Sequence, residues 1–379
     1  MIKDQNFEDI RPYDDNEVEA AIKRIIVHED LPKIVKFVFP NVDFQQFVEK
    51  LKGIKTIYDF QSEIMFNAIF AITDKTSSGL QIMGFEKLLK DKSYMFIANH
   101  RDIVLDSAIF QVLCHSKGVN TSEITFGDNL MFNQFIVDIG KLNKMFKFKR
   151  GGSLRELFVY SLESSKYMRY AITEKQQSIW IAQRNGRTKD GFDKTSDAVL
   201  KMFAMSSKKN FSENLKELNI TPLSISYEYE PCDALKTQEI YVSRRQKYVK
   251  LPNEDLNSIL TGINQFKGGI SIVVCNTITD DELILCNDLH NIEKFAVLSE
   301  IIDKRIYSNY KLWKTNYIAY DILNNSDIFP EQYSLQEKYD FLSYCENSIK
   351  NLNGDSEELL DIFLNIYANP VKNKIKNLQ

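Results

Sequence analysis

The sequence predicts an α/β fold, in which a mixed, largely parallel sheet flanked by helices follows an N-terminal helical subdomain. Three observations lead to this prediction. From residue 79 to about residue 278, short apolar runs alternate with helical segments, as in βα units. The run at residues 179–182 is apolar on both faces, as a central strand requires. Before residue 79, the apolar residues recur at helical spacing instead.

The N-terminal part of the chain is predicted to be helical. Residues 1–15 are polar and acidic, and we expect them to form a loose end. In residues 16–75 the apolar positions follow helical periodicity, and turn residues follow at 76–79. These apolar positions include Ile22, Ile25, Ile26, Phe44, Phe47, Val48 and Leu51. We therefore assign residues 1–78 to an N-terminal helical subdomain.

Residues 79–290 are assigned to the α/β domain, and residues 291–379 to a C-terminal helical extension packed on its core. The predicted strands are residues 94–98, 124–126, 145–149, 178–182, 222–228 and 269–274. The predicted helices between them include residues 102–116, 153–173 and 195–205. Pro222 is placed at the first position of its strand, where a missing N–H group does no harm.

Composition and charge exclude several classes of protein. The net charge of −4 and the pI near 5.8 argue against a nucleic-acid binder, whose surface is normally basic. The five cysteines form no CxxC pair or Cys/His cluster, so neither a disulfide framework nor a metal site is predicted. The first residues carry no apolar signal core, and no apolar run is long enough to cross a bilayer. We expect a reduced, cytoplasmic protein that at most touches a membrane surface.

The first motif with catalytic potential is Asn-His-Arg-Asp at residues 99–102. It directly follows an apolar run and precedes a helical segment that brings a second carboxylate, Asp106. Groups that meet substrate lie at the carboxyl ends of strands in an open α/β sheet, and an imidazole held by a carboxylate is a general base near neutral pH. Asp106 is favoured as that carboxylate, because Asp102 is explained as a helix cap. The alternative is that His100 is a turn histidine beside a capped helix.

A basic segment lies between Asp138 and Glu156 and contains no acid. In its predicted strand Arg150 is in phase with Phe146 and Phe148, and Gly-Gly-Ser and a helix follow it. Phosphate binders occupy such positions, and the planar guanidinium can hold two phosphate oxygens. The alternative is a solvated basic edge that discourages strand pairing.

A second basic segment, residues 183–191, follows the central apolar strand. Arg184, Arg187 and Lys189 supply positive charge, and Gly186 allows the backbone to approach a ligand. The segment therefore predicts an anion site at the carboxyl end of a strand. An ordinary basic turn is the alternative.

Together with residues 219–231, which alone predict only a partly exposed strand, these motifs resemble the glycerolipid acyltransferase superfamily. That group contains glycerol-3-phosphate and lysophosphatidate acyltransferases, and the resemblance is greatest to a bacterial lysophospholipid acyltransferase-like branch. It covers roughly residues 80–275 and rests on four motifs in the same order and spacing. The four blocks correspond to Asn99-His100 through Asp106, Gly127 through Arg150, Gln183 through Arg187, and Thr221-Pro222 with the strand after it.

The resemblance implies transfer of a fatty acyl group from acyl-CoA or acyl-carrier protein to a hydroxyl of a lysophospholipid or glycerol-phosphate acceptor. His100 would remove the hydroxyl proton and Asp106 would orient the imidazole, without an acyl-enzyme. Arg150 and Arg187, helped by Arg184 or Lys189, would hold the acceptor phosphate. The complete set of implied substrate-binding residues is Asn99, Arg101, Gly127, Arg150, Arg184, Asn185, Gly186, Arg187, Lys189 and Pro222.

Two departures from the family pattern leave alternatives open. Five residues separate His100 from Asp106 where the family usually has four, so Asp102 stays a competitor. Asn185 stands where the third block carries glutamate, and it loses the negative charge. The alternatives are a catalytically impaired lipid-binding homologue, and a thioesterase or esterase that uses the same dyad on water.

The resemblance also implies partners and a location. The thioester arrives activated, so no bound cofactor and no metal are expected, and the donor is a co-substrate. A phospholipid-biosynthesis enzyme with hydrophobic substrates is expected to be peripheral on the inner face of the cell membrane. We expect that contact through Phe146, Phe148 and the neighbouring lysines.

Overall fold

The computed structural model describes residues 7–290 and 292–378, and seven strands of this part form one sheet. They are β1 (Gly79–Met83), β2 (Met95–Ala98), β3 (Glu123–Gly127), β4 (Met145–Phe148), β5 (Ile179–Ala182), β6 (Ile220–Tyr227) and β7 (Gly269–Val274). Their order in the sheet is β1-β7-β6-β2-β5-β3-β4. All neighbouring pairs are parallel except β6 and β7, which are antiparallel. The predicted fold class, a mixed and largely parallel sheet flanked by helices, is confirmed.

Helices surround the sheet on both faces and at both ends of the chain. Before β1 lie α1 (Asp15–Ile26), α2 (Leu31–Val38), α3 (Phe44–Gly53), α4 (Ile57–Asp59), a π-helical segment (Phe60–Met65) and α5 (Phe66–Thr76). Between the strands lie α6 (Leu105–Ser116), α7 (Gln134–Leu142), α8 (Leu154–Thr173), α9 (Asp197–Ala204), α10 (Phe211–Lys216), α11 (Asp233–Ser243) and α12 (Glu254–Asn264). After β7 lie α13 (Asp280–Leu285), α14 (Glu293–Asn309), α15 (Lys314–Leu323), α16 (Leu335–Ile349) and α17 (Ser356–Leu378).

The central strands β2 and β5 are buried throughout and send alternate side chains to two apolar layers. Met95 and Ile179 belong to a layer that α8, α9 and α14 cover. Phe96 and Trp180 belong to the opposite layer, which α5 and α6 cover. This two-sided burial explains why both strands lack polar residues, as the sequence of 179–182 predicted.

The strand β1 and the N-terminal residues differ from the expectation. Residues 79–83 form an edge strand that pairs in parallel with β7, although the sequence predicted no strand there. Residues 7–14 are not a loose end, because Phe7 packs against Tyr167 with ring centroids 5.2 Å apart, and Lys147 N–H donates to the Ile10 carbonyl at 2.9 Å. The rest of the predicted loose end, residues 1–6, lies outside the described residues.

The phenylalanines of β4 do not form the expected membrane contact. Phe146 is fully buried against Tyr167, at 5.0 Å between ring centroids, and Phe148 packs on the same apolar layer. The neighbouring Lys147 and Lys149 form ion pairs with Asp9. The prediction failed because residues 7–14 cover this edge of the sheet, which the local pattern of β4 cannot reveal.

The terminal helices pack on the sheet domain. Helices α1–α3 share an apolar cluster with Phe135 and Leu142 of α7. Helix α14 contributes to the central apolar layer, while α15–α17 form a separate cluster that includes Tyr229 and Tyr241. The domain boundaries at residues 78 and 290 stay predictions. Within the described ranges, every helix is too short or too polar to cross a bilayer.

Candidate active site

His100 lies just beyond the carboxyl end of β2, in the turn that leads to α6. Its Nδ1 atom is 2.8 Å from Oδ2 of Asp106, in the first turn of that helix. The Asp106 side chain is fully buried, whereas 12% of the His100 side chain is exposed. Because the carboxylate engages Nδ1, the Nε2 atom is the ring nitrogen left to accept a proton.

Asp106 is held as a carboxylate by several donors. Its Oδ2 atom also accepts the backbone N–H groups of Arg101 at 2.6 Å and Asp102 at 3.0 Å, and its Oδ1 atom accepts the Tyr227 hydroxyl at 2.7 Å. Burial opposes ionisation of this group. The hydrogen bonds from His100 and its other donors outweigh burial and hold the pKa of Asp106 below its usual value.

Asp102 has a different structural role. Its Oδ1 atom accepts the backbone N–H groups of Val104 at 2.9 Å and Leu105 at 2.8 Å. These N–H groups at the start of α6 have no partner within the helix, and Asp102 supplies one. Burial, together with the nearby charge of Asp106, raises the pKa of Asp102. The hydrogen-bond partner of His100 is therefore Asp106, despite the extra residue in the turn.

Two contacts of this pair lie beyond the residues that the motifs singled out. Tyr227 ends β6, and the sequence around it predicted only a strand. Trp180 of β5 packs edge-on against the His100 ring, with centroids 5.5 Å apart. Parallel pairing places β5 and β6 on either side of β2, so Trp180 reaches His100 and Tyr227 reaches Asp106. No local signal distinguishes them, because their contacts follow from the strand order.

A cavity of about 600 Å³ opens beside His100. Apolar side chains from α5, the turn before α6, α6, β3, α7 and α12 form most of its wall, including Phe66, Ile103, Ala108, Phe126, Ile136 and Leu256. The sequence-predicted residues that line it are His100, Gly127, Arg150, Asn185, Gly186, Arg187 and Lys189. Residues that are distant in the chain thus converge on a space with an apolar wall and a basic side, a usual composition for a ligand site.

Arg150 and Arg187 bring hydrogen-bond donors to the cavity. The guanidinium of Arg150 lies over Gly127, where a Cβ atom would be only 3.0 Å from Nε. Burial lowers the pKa of Arg150, although Asp128 and Asp255 oppose this effect. In the described part of the chain, Arg150 Nε and Arg187 Nη1 are buried without a hydrogen-bond partner. Buried donors without partners are costly, and an anionic group in the cavity would satisfy them.

The remaining residues of the third motif that line the cavity differ in exposure. Lys189 forms an ion pair with Glu239 of α11, so part of its charge is already compensated. Asn185 is exposed at the opening, where Gly186 has a positive φ of 78°. The loop is attached to the first motif, because Thr188 N–H donates to the His100 carbonyl at 2.8 Å.

Four residues that were expected to bind substrate do not line the cavity. Asn99 is buried and its side chain bonds both backbone groups of Ile225 at 2.8 Å, and Pro222 is the third residue of β6 rather than the first. Arg184 donates to the Phe192 carbonyl at 3.3 Å, away from the cavity wall. The fourth is Arg101.

Arg101 is fully buried in a network of charges behind the histidine. Its guanidinium binds Asp193 at 2.5 Å and Glu230 at 3.2 Å, and Lys236 donates to its carbonyl at 2.8 Å. Tyr310, which follows α14, lies against the guanidinium at 5.3 Å. Arg101 therefore holds the segment that carries His100, and its substrate-binding prediction was wrong because partners from later in the chain enclose it.

The described residues contain no group of three or more His, Cys, Asp or Glu side chains placed to hold a metal ion. The chemistry that this arrangement offers is proton transfer at His100 beside a cationic site and an apolar cavity.

No protein-family model and no curated protein sequence matches this chain. Among solved structures, it is similar to the 1-acyl-sn-glycerophosphate (LPA) acyltransferase PlsC from Thermotoga maritima. The TM-score is 0.36 at 11% sequence identity, and the match covers 76% of this chain and 92% of that chain.

Proposed function

We propose that the protein is an acyltransferase that moves a fatty acyl group from acyl-CoA or acyl-carrier protein to a hydroxyl of a lysophospholipid or glycerol-phosphate acceptor. The observation that carries the proposal is the convergence of the His100–Asp106 pair, two arginines and an apolar wall on one cavity. The reaction needs a base, a site for the acceptor phosphate and a site for the acyl chain, and these three parts of the cavity would supply them. The order of the four sequence motifs supports the same assignment.

In the proposed reaction, Nε2 of His100 takes the proton of the acceptor hydroxyl as its oxygen attacks the thioester carbonyl carbon. Asp106 stabilises the imidazolium that forms. The tetrahedral intermediate then expels the thiolate, which receives the proton from His100, so the C–O bond replaces the C–S bond. Base assistance of this kind contributes about 10²–10⁴-fold to a rate.

The cationic side of the cavity would position the acceptor. Among the described residues, no group pairs with the buried donor atoms Arg150 Nε and Arg187 Nη1. A phosphate monoester or diester presents several acceptor oxygens to them. Holding the phosphate fixes the direction from which the hydroxyl approaches the thioester. The apolar wall would take the acyl chain.

A thiol-release assay with long-chain acyl-CoA, with and without lysophosphatidate or glycerol 3-phosphate, tests the proposal. Release that depends on the acceptor is expected. Equal release without an acceptor would assign a hydrolase, and lipid binding without release would assign a silent scaffold, which the exposed Asn185 in place of glutamate favours. Asn185→Glu shows whether that position limits the rate.

His100→Ala is expected to lower acceptor-dependent release by at least about 10³-fold, because the base is lost. His290→Ala is the matched control, since this histidine is exposed and lies outside the cavity wall. Circular dichroism of both variants checks the fold. Substantial turnover by folded His100→Ala protein would refute the assigned base.

A further inference from the structure

The first turns of α8 project from the protein with their apolar side chains uncovered. Every residue from 154 to 159 is exposed, whereas the second half of the helix packs on the sheet. Leu154 is 88% exposed and Phe158 is 62% exposed. With Leu157 they are spaced three and four residues apart, so the three side chains share one face of the helix. An uncovered apolar face of this kind indicates a binding surface.

The projecting turns are firmly helical. Ser153 and Glu156 form a capping box, in which the Glu156 N–H donates to the Ser153 hydroxyl and the Glu156 carboxylate accepts the Ser153 N–H at 2.8 Å. The apolar face is therefore held in place before any partner arrives.

This face lies next to the opening of the cavity. Arg150, four residues before Leu154, lines the cavity, and so does the exposed Phe132. On the other side, Val249 and Leu251 are exposed and flank Lys250, which also lines the cavity. A hydrogen bond connects the two sides, in which the Asn129 side-chain amide donates to the Asp255 carboxylate at 3.1 Å. We call this set the rim surface: Phe132, Leu154, Leu157, Phe158, Val249 and Leu251.

The charges around the rim surface favour an anionic partner. Among the described residues, Arg155 and Lys247 form no ion pair, and neither do Arg150 and Arg187 inside the opening. Four acids lie nearby. Glu156 caps its own helix, and Asp255 pairs with Lys250 at 2.5 Å. Asp128 accepts the Arg150 backbone N–H at 3.1 Å, and Glu254 accepts the Leu251 N–H at 3.0 Å. Apolar side chains beside cations that form no ion pair are the composition of a surface that binds the headgroup region of an anionic bilayer.

We propose that the rim surface docks on an anionic lipid bilayer and holds the cavity opening against it. The choice of a membrane as partner rests on the proposed function, since lipid substrates would enter from the bilayer. The surface itself is defined by exposure and charge alone. It replaces the expected contact through β4, where Phe146 is buried and Phe148 is partly buried.

Flotation of the full-length chain with phosphatidylcholine vesicles, with and without phosphatidylglycerol, tests the proposal. Wild-type protein is expected to float with the anionic vesicles. The double variant Leu154→Ser with Phe158→Ser is expected to bind at least about tenfold more weakly, because two apolar side chains leave the interface.

The chain offers a closely matched control in α16. Leu335 and Tyr339 have the same spacing, follow the Ser334–Glu337 capping box, and are 73% and 66% exposed. They lie away from the cavity wall. Leu335→Ser with Tyr339→Ser is expected to leave vesicle binding unchanged.

Three results would overturn the proposal: no flotation of wild-type protein, equal binding by the Leu154/Phe158 variant, or equal loss in the α16 control. If the wild-type chain is a dimer and only the Leu154/Phe158 substitutions make it monomeric, the surface binds a second copy of the chain instead.

Thiol release with short-chain acyl-CoA and soluble glycerol 3-phosphate should be unchanged in the Leu154/Phe158 variant. His100→Ala should lose that release and keep vesicle binding, so failure of the docking proposal and failure of the proposed function are distinguishable.

Discussion

Asp102 and Asp106 lie one helical turn apart, are equally buried, and differ in their hydrogen-bond donors. Asp106 accepts side-chain donors from His100 and Tyr227 as well as backbone donors, and its pKa is lowered. The described contacts of Asp102 are backbone N–H groups at the start of α6, and burial raises its pKa. The additional side-chain donors therefore lower the pKa of Asp106, whereas burial raises the pKa of Asp102.

Asp106→Asn is expected to lower acceptor-dependent thiol release by about 10³–10⁴-fold, because an amide cannot stabilise the imidazolium in the same way. Asp102→Asn is the matched control, since its amide oxygen still accepts the two backbone N–H groups. Comparable losses in both folded variants would contradict the assignment of the partner.

A second buried acid predicts how stability depends on pH. Burial raises the pKa of Asp303 in α14 to about 7, although the Thr195 N–H and hydroxyl donate to its carboxylate. A raised pKa means that the folded state binds the proton more tightly than the unfolded state. This group therefore lowers stability as the pH rises from about 4 to about 7.

Asp303→Asn removes this titration while keeping an oxygen that accepts from Thr195. Its free energy of unfolding, relative to wild type, is expected to be about 2 kcal/mol higher at pH 8 than at pH 5. Urea denaturation at the two pH values measures the difference. A difference independent of pH would show that Asp303 titrates normally.

At the scale of elements, the loop after β5 lies between the cavity and the C-terminal helix. A Cβ atom at Gly191 would be 2.1 Å from the Ile366 carbonyl oxygen of α17, and Asn369 donates to the Asp190 carbonyl at 2.7 Å. At Gly186, on the cavity side, no atom of the described residues lies within 4 Å of such a Cβ. One end of this loop therefore lines the cavity, and the other end packs against the backbone of α17.

Gly191 and Gly186 have nearly equal φ angles of 76° and 78°, so an alanine at either position brings the same backbone strain. Comparing Gly191→Ala with Gly186→Ala therefore isolates the effect of steric crowding at Gly191. Both variants lose about 1–2 kcal/mol of stability from the left-handed conformation. Gly191→Ala is expected to lose about 2 kcal/mol more, since α17 must shift. Urea denaturation measures the free energy of unfolding of the two variants. Equal losses of stability would show that α17 can shift without destabilising the protein.

For the whole molecule, the C-terminal extension and the sheet share buried polar contacts. The Tyr344 and Tyr367 hydroxyls each lie 2.6 Å from Asp233 of α11, and Trp313 donates to Ser226 of β6 at 3.1 Å. Burial raises the pKa of Asp233, and these tyrosine donors oppose the effect. Separating the extension would leave this carboxyl without its partners.

The chain contains two tryptophans, one on each side of this contact: Trp180 in β5 and Trp313 before α15. We expect the extension and the sheet to unfold together. In Trp180→Phe and in Trp313→Phe, the urea midpoint from the remaining tryptophan should equal the midpoint from circular dichroism. An earlier midpoint for the Trp313 fluorescence would show that the extension unfolds separately.

The sequence by itself determined the alternation of strands and helices, the six strands around the motifs, and the His100–Asp106 spacing. These features depend on residues near one another in the chain, where apolar periodicity and capping act directly. The convergence of Arg150 and Arg187 near His100 was also predicted, because parallel strands bring their carboxyl ends to one edge.

The tertiary structure alone decided which polar residues face the cavity and which apolar residues face outwards. Arg101 and Asn99 look like ligand groups locally, yet Asp193, Glu230 and β6 enclose them. Phe146 looks like a surface residue and is buried, while Leu154 and Phe158 are uncovered. The physical reason is that burial depends on which distant segments pack against a residue, and that packing is a property of the whole fold.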